Sequence, residues 1–585
     1  MTQTEPAQET VPDLLSEEAA IRVDLDDLHQ TLTFGFALGT SIEALEKPLV
    51  FAKLPPSTWD ANDFSRDLFL EDLVTRALRI RIGGRAQTPV LGYLLRTLAE
   101  PPREASVVRF RQAILAELAA SPALRRDFER VYLRITSMRT TFTSEGGARR
   151  GGDTHRRLEI LRGIEEVVLD LGNSFEKTTS GLRRLHDFAL DIKETETFQR
   201  LAALLDHERH LGTVDLRVQV GTDGTLRTFQ IVSLRENATN PFHTSAIARF
   251  FSKLRLLLLG YRVTPGEVAE RLFDDVFSGL ERTVGLLLQL HGDMEFYLAG
   301  LALSDLAREK GLPVCLPELV SQEDCKGLAI DRLYNPLLLA GKTRPSPCDL
   351  RTSHVDSVVI VTGPNSGGKT RLLQSIGLVQ LLGQAGLFIT AEKAVLPQLG
   401  GMFVSLVEEA KSDQPEGQLG MELMRIRRLF EDLGFGSMVL LDELCSGTNP
   451  SEGEEIARLV ISLLPELKSP VFMTTHLLSL ATHLAEAPPI SHLELLQVEL
   501  DENERPTYRF LPGVAKTSLA HKTAARLGVT KDELGALIAK KKRAAADGEQ
   551  QKPSSRRISP KSQPRTSQEP RPFSPDRRRA GSRRR

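Results

Sequence analysis

Three short stretches carry side chains whose types and spacing suit the handling of a triphosphate. The first is Gly363-Pro364-Asn365-Ser366-Gly367-Gly368-Lys369-Thr370, which satisfies G-x-x-x-x-G-K-[ST]. Glycines there let backbone N–H groups face phosphates with no Cβ in the way, and a following helix adds its positive dipole end. Lys369 is the group expected to neutralise the β- and γ-phosphates, and the Thr370 hydroxyl the group expected to ligate Mg²⁺. The second stretch is "SMVLLDELCSGTNPSEG", in which four apolar residues end in Asp442 and Glu443. A bare Asp-Glu pair is usually a solvated helix face. At the end of an apolar strand, 73 residues past Lys369, it reads as a metal-holding Asp442 and a water-polarising Glu443. The third is "VFMTTHLLSL", whose apolar run ends at Thr475-His476. A lone histidine at a strand end is often structural, but in this order and company His476 reads as a polar sensor of the γ-phosphate.

These groups need a scaffold, and the surrounding sequence supplies one. Strands are expected at 357–362, 437–441 and 470–475, with helices from Lys369 and Glu452. Such alternation implies a parallel sheet with helices on both faces. The front half is different. Residues 21–135 and 155–210 are expected to be mainly helical, with Phe110, Ile114, Leu115 and Leu118 at helical spacing and Ser121-Pro122 as punctuation. "TSEGGARRGGDTH" reads as a loop between helices. In "TVDLRVQVGTDGTLRTFQIVSL" the alternation of Leu216, Val218 and Val220 across Asp223-Gly224 to Leu226 predicts a β-hairpin. A long helical run follows from about Thr264 to Lys310. No internal repeat is present.

Composition narrows the classes. The chain has 585 residues with 41% hydrophobic content and a net charge of −2. That near-neutrality hides a division: residues 540–585 hold sixteen Lys and Arg against four Asp and Glu, whereas residues 1–539 hold 59 against 73. The tail is rich in Pro, Ser and Arg and nearly free of aliphatics, so it is expected to be disordered. It suits either solubilisation or nonspecific contact with a polyanion through counterion release. With one tryptophan and six tyrosines, an aromatic platform for nucleic acid is not favoured. No run of eighteen apolar residues appears, so no membrane span is expected. The acidic N-terminus has no signal-peptide core and is expected to be a disordered lead-in over 1–20. Four cysteines without C-x-x-C spacing imply reduced thiols in a cytoplasmic protein.

Taken together, the motifs resemble the MutS family of ABC-class ATPases. "TGPNSGGKT" resembles that family's P-loop, including its G-P-N opening. "LLDELCSGTNPSEG" resembles its Walker B and following loop, in the style of the paralogues that bear an Smr domain, and "TTHLLSLA" matches its histidine motif. "YRFLPGVAKTSLAHKTAARLGV" resembles the helical dimerisation segment, and "RLYNPLLL" its entry segment with Asn335 in place of a histidine. The resemblance is clear over about 330–535.

It implies an α/β P-loop NTPase preceded by a mainly α-helical core and lever domain with a β-hairpin. The implied divisions are 1–20 disordered, 21–320 helical, 321–505 ATPase, 506–540 helical dimerisation segment and 541–585 disordered basic tail. The implied ligands are ATP and Mg²⁺; the implied partners are DNA and a second copy of the chain, with the basic tail 540–585 as a possible polyanion contact. The implied function couples nucleotide state to DNA clamping in mismatch repair or recombination control, at a cytoplasmic, nucleoid-associated location. An ATP-switched dimer acting on a protein or RNA assembly is the alternative.

The sequence also departs from the family. Its early Phe69-Leu70-Glu71 lies in an apparent amphipathic helix and reads as a chance match to the mismatch wedge. Neither the wedge-bearing N-terminal domain nor the Smr nuclease domain is expected. The trans-acting serine motif, aligned on Glu422, puts Gly417 at the serine and Leu419 at the phenylalanine, which implies slow or differently triggered hydrolysis.

Overall fold

The computed structural model describes residues 10–143, 152–210, 213–220, 226–235, 273–406, 418–444, 449–516 and 528–550. Two compact units divide at Ser518 and Leu519. The first opens with helices α1 (Leu25–Leu38), α2 (Ile42–Val50), α3 (Leu91–Ala99), α4 (Ala105–Ala120), α5 (Pro122–Thr143), α6 (Gly152–Ser174), α7 (Arg183–Glu194) and α8 (Glu196–His210). Their ends are set by local chemistry. The Asp24 side chain accepts from the N–H groups of Asp26 and Asp27 to cap α1, and Ser41 caps α2. Pro122 starts α5, where its missing N–H costs nothing. On α4, Ile114, Leu115 and Leu118 are buried as the periodicity predicts, and Phe110 packs at the margin. The hairpin is present as antiparallel strands β1 (Thr213–Val220) and β2 (Leu226–Arg235). Its Asp223-Gly224 turn lies outside the described residues, as do residues 144–151 of the expected inter-helix loop.

Helix α9 (Glu281–Glu309) is the axis of the front half, buried over most of its 29 residues. Helices α1 to α5 all pack against it. Such burial needs its charged side chains to be paired. Arg22 holds Asp293 at 2.5 and 2.7 Å and also grips Asp13, while the Tyr93 hydroxyl donates to Asp293 at 2.7 Å. Leu14 N–H donates to Asp293 at 3.1 Å, and the Tyr297 hydroxyl donates to Leu14 C=O. The expected disordered lead-in therefore needs correcting from residue 10 onward: Asp13, Leu14 and Leu15 are wholly buried against α9. The acidic composition of 1–20 concealed "VPDLL", an apolar anchor whose one charge has a buried partner.

Five parallel strands and one antiparallel edge strand build the main sheet. Between α9 and this sheet come β3 (Glu318–Val320), β4 (Ala329–Leu333) and β5 (Cys348–Arg351). Then follow β6 (Val358–Thr362), α10 (Lys369–Ala385), β7 (Lys393–Pro397), β8 (Met402–Ser405), α11 (Gln418–Asp432), β9 (Met438–Leu441), α12 (Pro450–Leu463), β10 (Val471–Thr475), α13 (Leu478–Glu486), β11 (Leu493–Leu500) and β12 (Pro506–Pro512). The main sheet runs β8–β9–β10–β6–β11–β12, parallel except for β12. A smaller sheet runs β3–β7–β4–β5. The expected strands and helices around the motifs appear within two residues of their predicted starts.

Alternation along the main strands divides two cores. Val359, Val361, Leu440 and Phe472 face α10, in one apolar cluster that continues through the helical front half. Val358, Ile360, Val439 and Met473 face the other way, with side chains of α11, α12 and α13. Trp59 joins the front half to the sheet region, donating its indole N–H to Leu399 C=O at 3.1 Å with its ring edge-on to Phe64.

Three further expectations change. Residues 506–512, expected to begin a helical segment, are strand β12. Their alternating "TYRFLP" pairs with β11 and closes the sheet edge. The expected tail begins later than residue 541, because helix α14 of the second unit spans Lys531–Gln550; residues 551–585 lie outside the description. Phe69 is not within an amphipathic helix but stands at a left-handed φ of 55° ahead of the short helical turn at Leu70–Asp72. Cys325 and Cys348 are buried free thiols and Cys315 is partly buried. Burial pushes the Cys348 thiol up to about 12. Cys445 lies outside the described residues. Among the described residues, no helix is long and apolar enough to cross a membrane.

Burial also sets a pH dependence. Glu295 on α9 is wholly buried, accepting from Val90 N–H at 2.8 Å and from the Tyr132 hydroxyl at 3.3 Å. Desolvation pushes its carboxyl up to about 8, partly offset by that N–H and by Arg139. The folded state thus holds a proton that the unfolded chain releases near the ordinary value of 4.5. The resulting stabilisation is full below about 4.5 and is lost as pH rises through about 8. Melting curves of wild type and Glu295→Gln, followed by circular dichroism from pH 5 to 9, should converge at the acid end. The wild type should fall away from the variant as pH rises; parallel curves would exclude a protonated Glu295.

Candidate functional site

The P-loop turn joins β6 to α10, so the buried strand "VVIVT" aims it and the helix receives it. Gly363 has φ +140° and Gly368 φ +86°, the second being left-handed backbone at the entrance to α10. A Cβ on Gly363 or Gly367 would stand 2.7 to 2.8 Å from Val498 of β11, and one on Gly368 would stand 3.1 Å from the Tyr508 ring of β12. Gly363 is therefore required twice, by backbone conformation and by the strand that closes over the turn, whereas Gly367 is required by the strand and Gly368 mainly by its backbone.

Lys369 is buried and folds back over the loop. Its Nζ donates to Gly363 C=O at 3.0 Å and to Pro364 C=O at 3.4 Å, and lies 3.8 Å from Glu443 Oε1. Burial pushes its ammonium below the ordinary lysine range, offset in part by the charges of Glu443 and Asp442. Thr370 Oγ1 donates to Asp442 Oδ2 at 2.5 Å. Asn365 Oδ1 lies 3.5 Å from Lys369 Nζ, while Ser366 is exposed on the turn.

Asp442 and Glu443 leave the end of β9, directly beside this turn. Asp442 N–H donates to Ser405 C=O at 2.9 Å, extending the β8–β9 pairing by one residue. Glu443 then takes a left-handed φ of 51°, a strained choice for a non-glycine residue that swings its carboxylate over the P-loop. His476, just past β10, places Nδ1 3.7 Å from Glu443 Oε2. The structure thus gathers Lys369, Thr370, Asp442, Glu443 and His476 at the carboxyl ends of neighbouring parallel strands.

Thr474 was not singled out by the sequence reading. Its hydroxyl donates to Asp442 Oδ1 and accepts from Glu443 N–H at 3.0 Å, so it orients both acids. Thr475, the residue named beside His476, instead accepts from Leu477 N–H at 3.0 Å. Period-two alternation distinguishes the two positions, because the buried strand sends them to opposite faces. Asn335 is buried and donates to Gln374 Oε1 on α10 at 2.8 Å, so the entry segment braces the helix rather than the loop. Gly417 and the side chains of Leu419 and Glu422 lie outside the described residues.

A glycine turn between a buried strand and a helix, facing an Asp-Glu pair one strand beyond its neighbour, defines the P-loop ATPase class of fold. Residues 359–539 match the family model of MutS domain V. The chain is 33% identical over 204 residues to the Endonuclease MutS2 of Streptococcus pyogenes serotype M1, covering 34% of this chain and 25% of that protein. Its identity to the Endonuclease MutS2 of Thermomicrobium roseum is 35% over 188 residues, covering 32% and 23%. With that of Streptococcus thermophilus strain CNRZ 1066 it is 33% over 219 residues, covering 37% and 26%. The region at residues 359–539 is a MutS domain V. The match spans about a quarter of the length of these relatives.

Removing the Thr474 hydroxyl leaves Glu443 N–H unpartnered in a partly buried place. Thr474→Val should lower unfolding stability by about 1–3 kcal/mol in urea titration, with Thr474→Ser close to wild type. Equal stability of all three proteins would mean that the hydroxyl does not hold the acids.

Proposed function

We propose that the chain is a homodimeric, DNA-binding ATPase that couples its nucleotide state to DNA clamping in mismatch repair or recombination control. The observation that carries this reading is the convergence of Lys369, Thr370, Asp442, Glu443 and His476 within a MutS domain V. In this reading the backbone N–H groups of Gly363, Pro364, Asn365, Ser366, Gly367 and Gly368 cradle the phosphates, and Lys369 neutralises the β/γ pair.

Hydroxyl and carboxylate oxygens of Thr370 and Asp442 converge at 2.5 Å, a hard-oxygen pair that fits Mg²⁺. Mg²⁺ there would supply charge neutralisation for the phosphates. Glu443 orients and polarises the attacking water, held between Lys369 and His476, and His476 reports on the γ-phosphate. Helix α14 carries Leu534, Leu537 and Ile538 at i, i+3, i+4 spacing, which supports pairing of two copies. The basic residues from Lys540 onward suit a nonspecific contact with DNA phosphates.

A second reading, an ATP-switched dimer acting on a protein or RNA assembly, is favoured by one observation. Residues 1–539 are acidic, 73 Asp and Glu against 59 Lys and Arg, which opposes DNA unless the basic tail supplies the attraction.

ATP turnover measured with homoduplex, mismatched, branched and single-stranded DNA separates the two. Stimulation or inhibition by at least one DNA structure is expected, and indifference of both turnover and ATP affinity to all of them would exclude the DNA reading. Deleting residues 551–585 should weaken DNA binding and flatten its salt dependence. Lys369→Ala should lose most nucleotide binding in a fluorescent-nucleotide titration. Glu443→Ala should keep nucleotide bound while turnover falls by roughly 10²–10⁴-fold. Turnover that survived the change would move the water-activating role to another group.

A further inference from the structure

The amino end of the main sheet, opposite the P-loop, carries a cluster that the nucleotide site does not use. His354 and Asp356 stand on the turn leading into β6, and His492 immediately precedes β11. Pairing of Val358 with Leu493 sets these segments side by side, and Val358 N–H donates to His492 C=O at 2.9 Å. One nitrogen from each imidazole and one Asp356 oxygen all lie within 4.8 Å of one another. His492 Nδ1 is 2.8 Å from Asp356 Oδ1, and the two imidazole rings lie parallel at 3.8 Å. An ion pair accounts for His492 and Asp356 alone; it does not account for the second imidazole brought ring over ring onto the first.

The turn bearing two of these groups is itself braced. Glu494 Oε1 accepts from Ser353 N–H and from the Ser357 hydroxyl, each at 2.7 Å. Ser357 is buried, and its Oγ accepts from His354 N–H at 3.2 Å, while the Thr352 hydroxyl donates to His354 C=O at 2.9 Å. The backbone of His354 is therefore fixed by groups outside the cluster, and Asp356 is bracketed between it and the buried Ser357.

We propose that His354, Asp356 and His492 bind a divalent transition-metal cation of the zinc class. Two imidazole nitrogens and one carboxylate oxygen suit Zn²⁺, Co²⁺ or Ni²⁺, whereas Mg²⁺ and Ca²⁺ take oxygen ligands. Tetrahedral bonds of about 2.0–2.1 Å set donors about 3.4 Å apart. The donors lie within 4.8 Å of one another, and binding requires the solvent-exposed His354 ring to rotate out of its parallel stack so that its nitrogen lone pair meets the same point as that of His492. Three protein ligands leave a fourth position for water. A bound ion clips the turn at 352–357 to the start of β11. β6 has five residues, so this clip lies about 16 Å along the strand from the P-loop and is separate from the Thr370–Asp442 pair.

The test is calorimetric titration of the untagged, chelator-stripped full chain with Zn²⁺, together with Co²⁺ absorption spectra and melting with and without Zn²⁺. One tight equivalent of Zn²⁺ is expected, unchanged in Thr370→Val, with a Co²⁺ spectrum free of thiolate charge transfer. His354→Ala should weaken binding at least tenfold, and His354→Ala/His492→Ala should abolish it together with the rise in melting temperature. Mg²⁺ should give no heat that depends on these histidines. Absence of a stoichiometric Zn²⁺ site in the wild type, or one that survives the double variant, overturns the proposal. If losing His492 unsettles the fold, His354→Ala decides alone, since its ring is exposed.

Discussion

The helix that receives the P-loop is held at its far end by a buried cation. Arg111 of α4 is wholly buried; its Nη1 donates to Ala385 C=O at the last turn of α10, and its Nε donates to Leu15 C=O. Desolvation pushes its guanidinium down to about 10, which still leaves it charged at neutral pH. A cation there complements the negative end of the helix dipole and satisfies carbonyls that have no partner within the helix. Gly386 follows with φ +93°, and a Cβ on it would stand 2.8 Å from the Arg111 Cβ. One side chain thus ties the nucleotide helix, the α4 packing layer and the N-terminal segment into a single piece, and the apolar cluster that runs from α9 through α10 into the sheet surrounds it.

This arrangement bears on how a nucleotide event would travel. Gly300 of α9 lies so close to Leu387, just beyond α10, that a Cβ there would stand 2.9 Å from it. Gly377 of α10 meets Leu68 and Leu440 in the same manner. Dense contacts of this kind do not bend gradually; close-packed interiors transmit strain. A shift of α10 along its axis would press on α9 and α4 without needing a dedicated path.

Local strings were legible in the sequence and distant meetings were not. Gly363 to Thr370 could be read because turn, lysine and hydroxyl are consecutive. Asp442, Glu443 and His476 could be read because each ends an apolar strand of recognisable length. Thr474 was hidden by its neighbour, since Thr474-Thr475 gives no outward sign of which hydroxyl turns toward the acids. The anchor at Asp13 to Leu15 was hidden because Asp293, which accepts from Leu14 N–H and is bridged to Asp13 by Arg22, lies on a helix some 280 residues away. Strand β12 was hidden by a resemblance that extended a helical segment over residues whose own alternation and flanking prolines suit an edge strand. His354, Asp356 and His492 meet only because two parallel strands share a register.

Trp59 gives this architecture an optical handle. It is the chain's only tryptophan, and its indole N–H is bonded to Leu399 C=O, between the end of β7 and the start of β8. Its emission therefore comes from one place, the contact between the front-half loop at 57–64 and the sheet region. Loosening of that contact would admit water to the ring and move the emission to longer wavelength. A single cuvette measurement, with no label attached, then follows whether the two halves of the first unit remain joined.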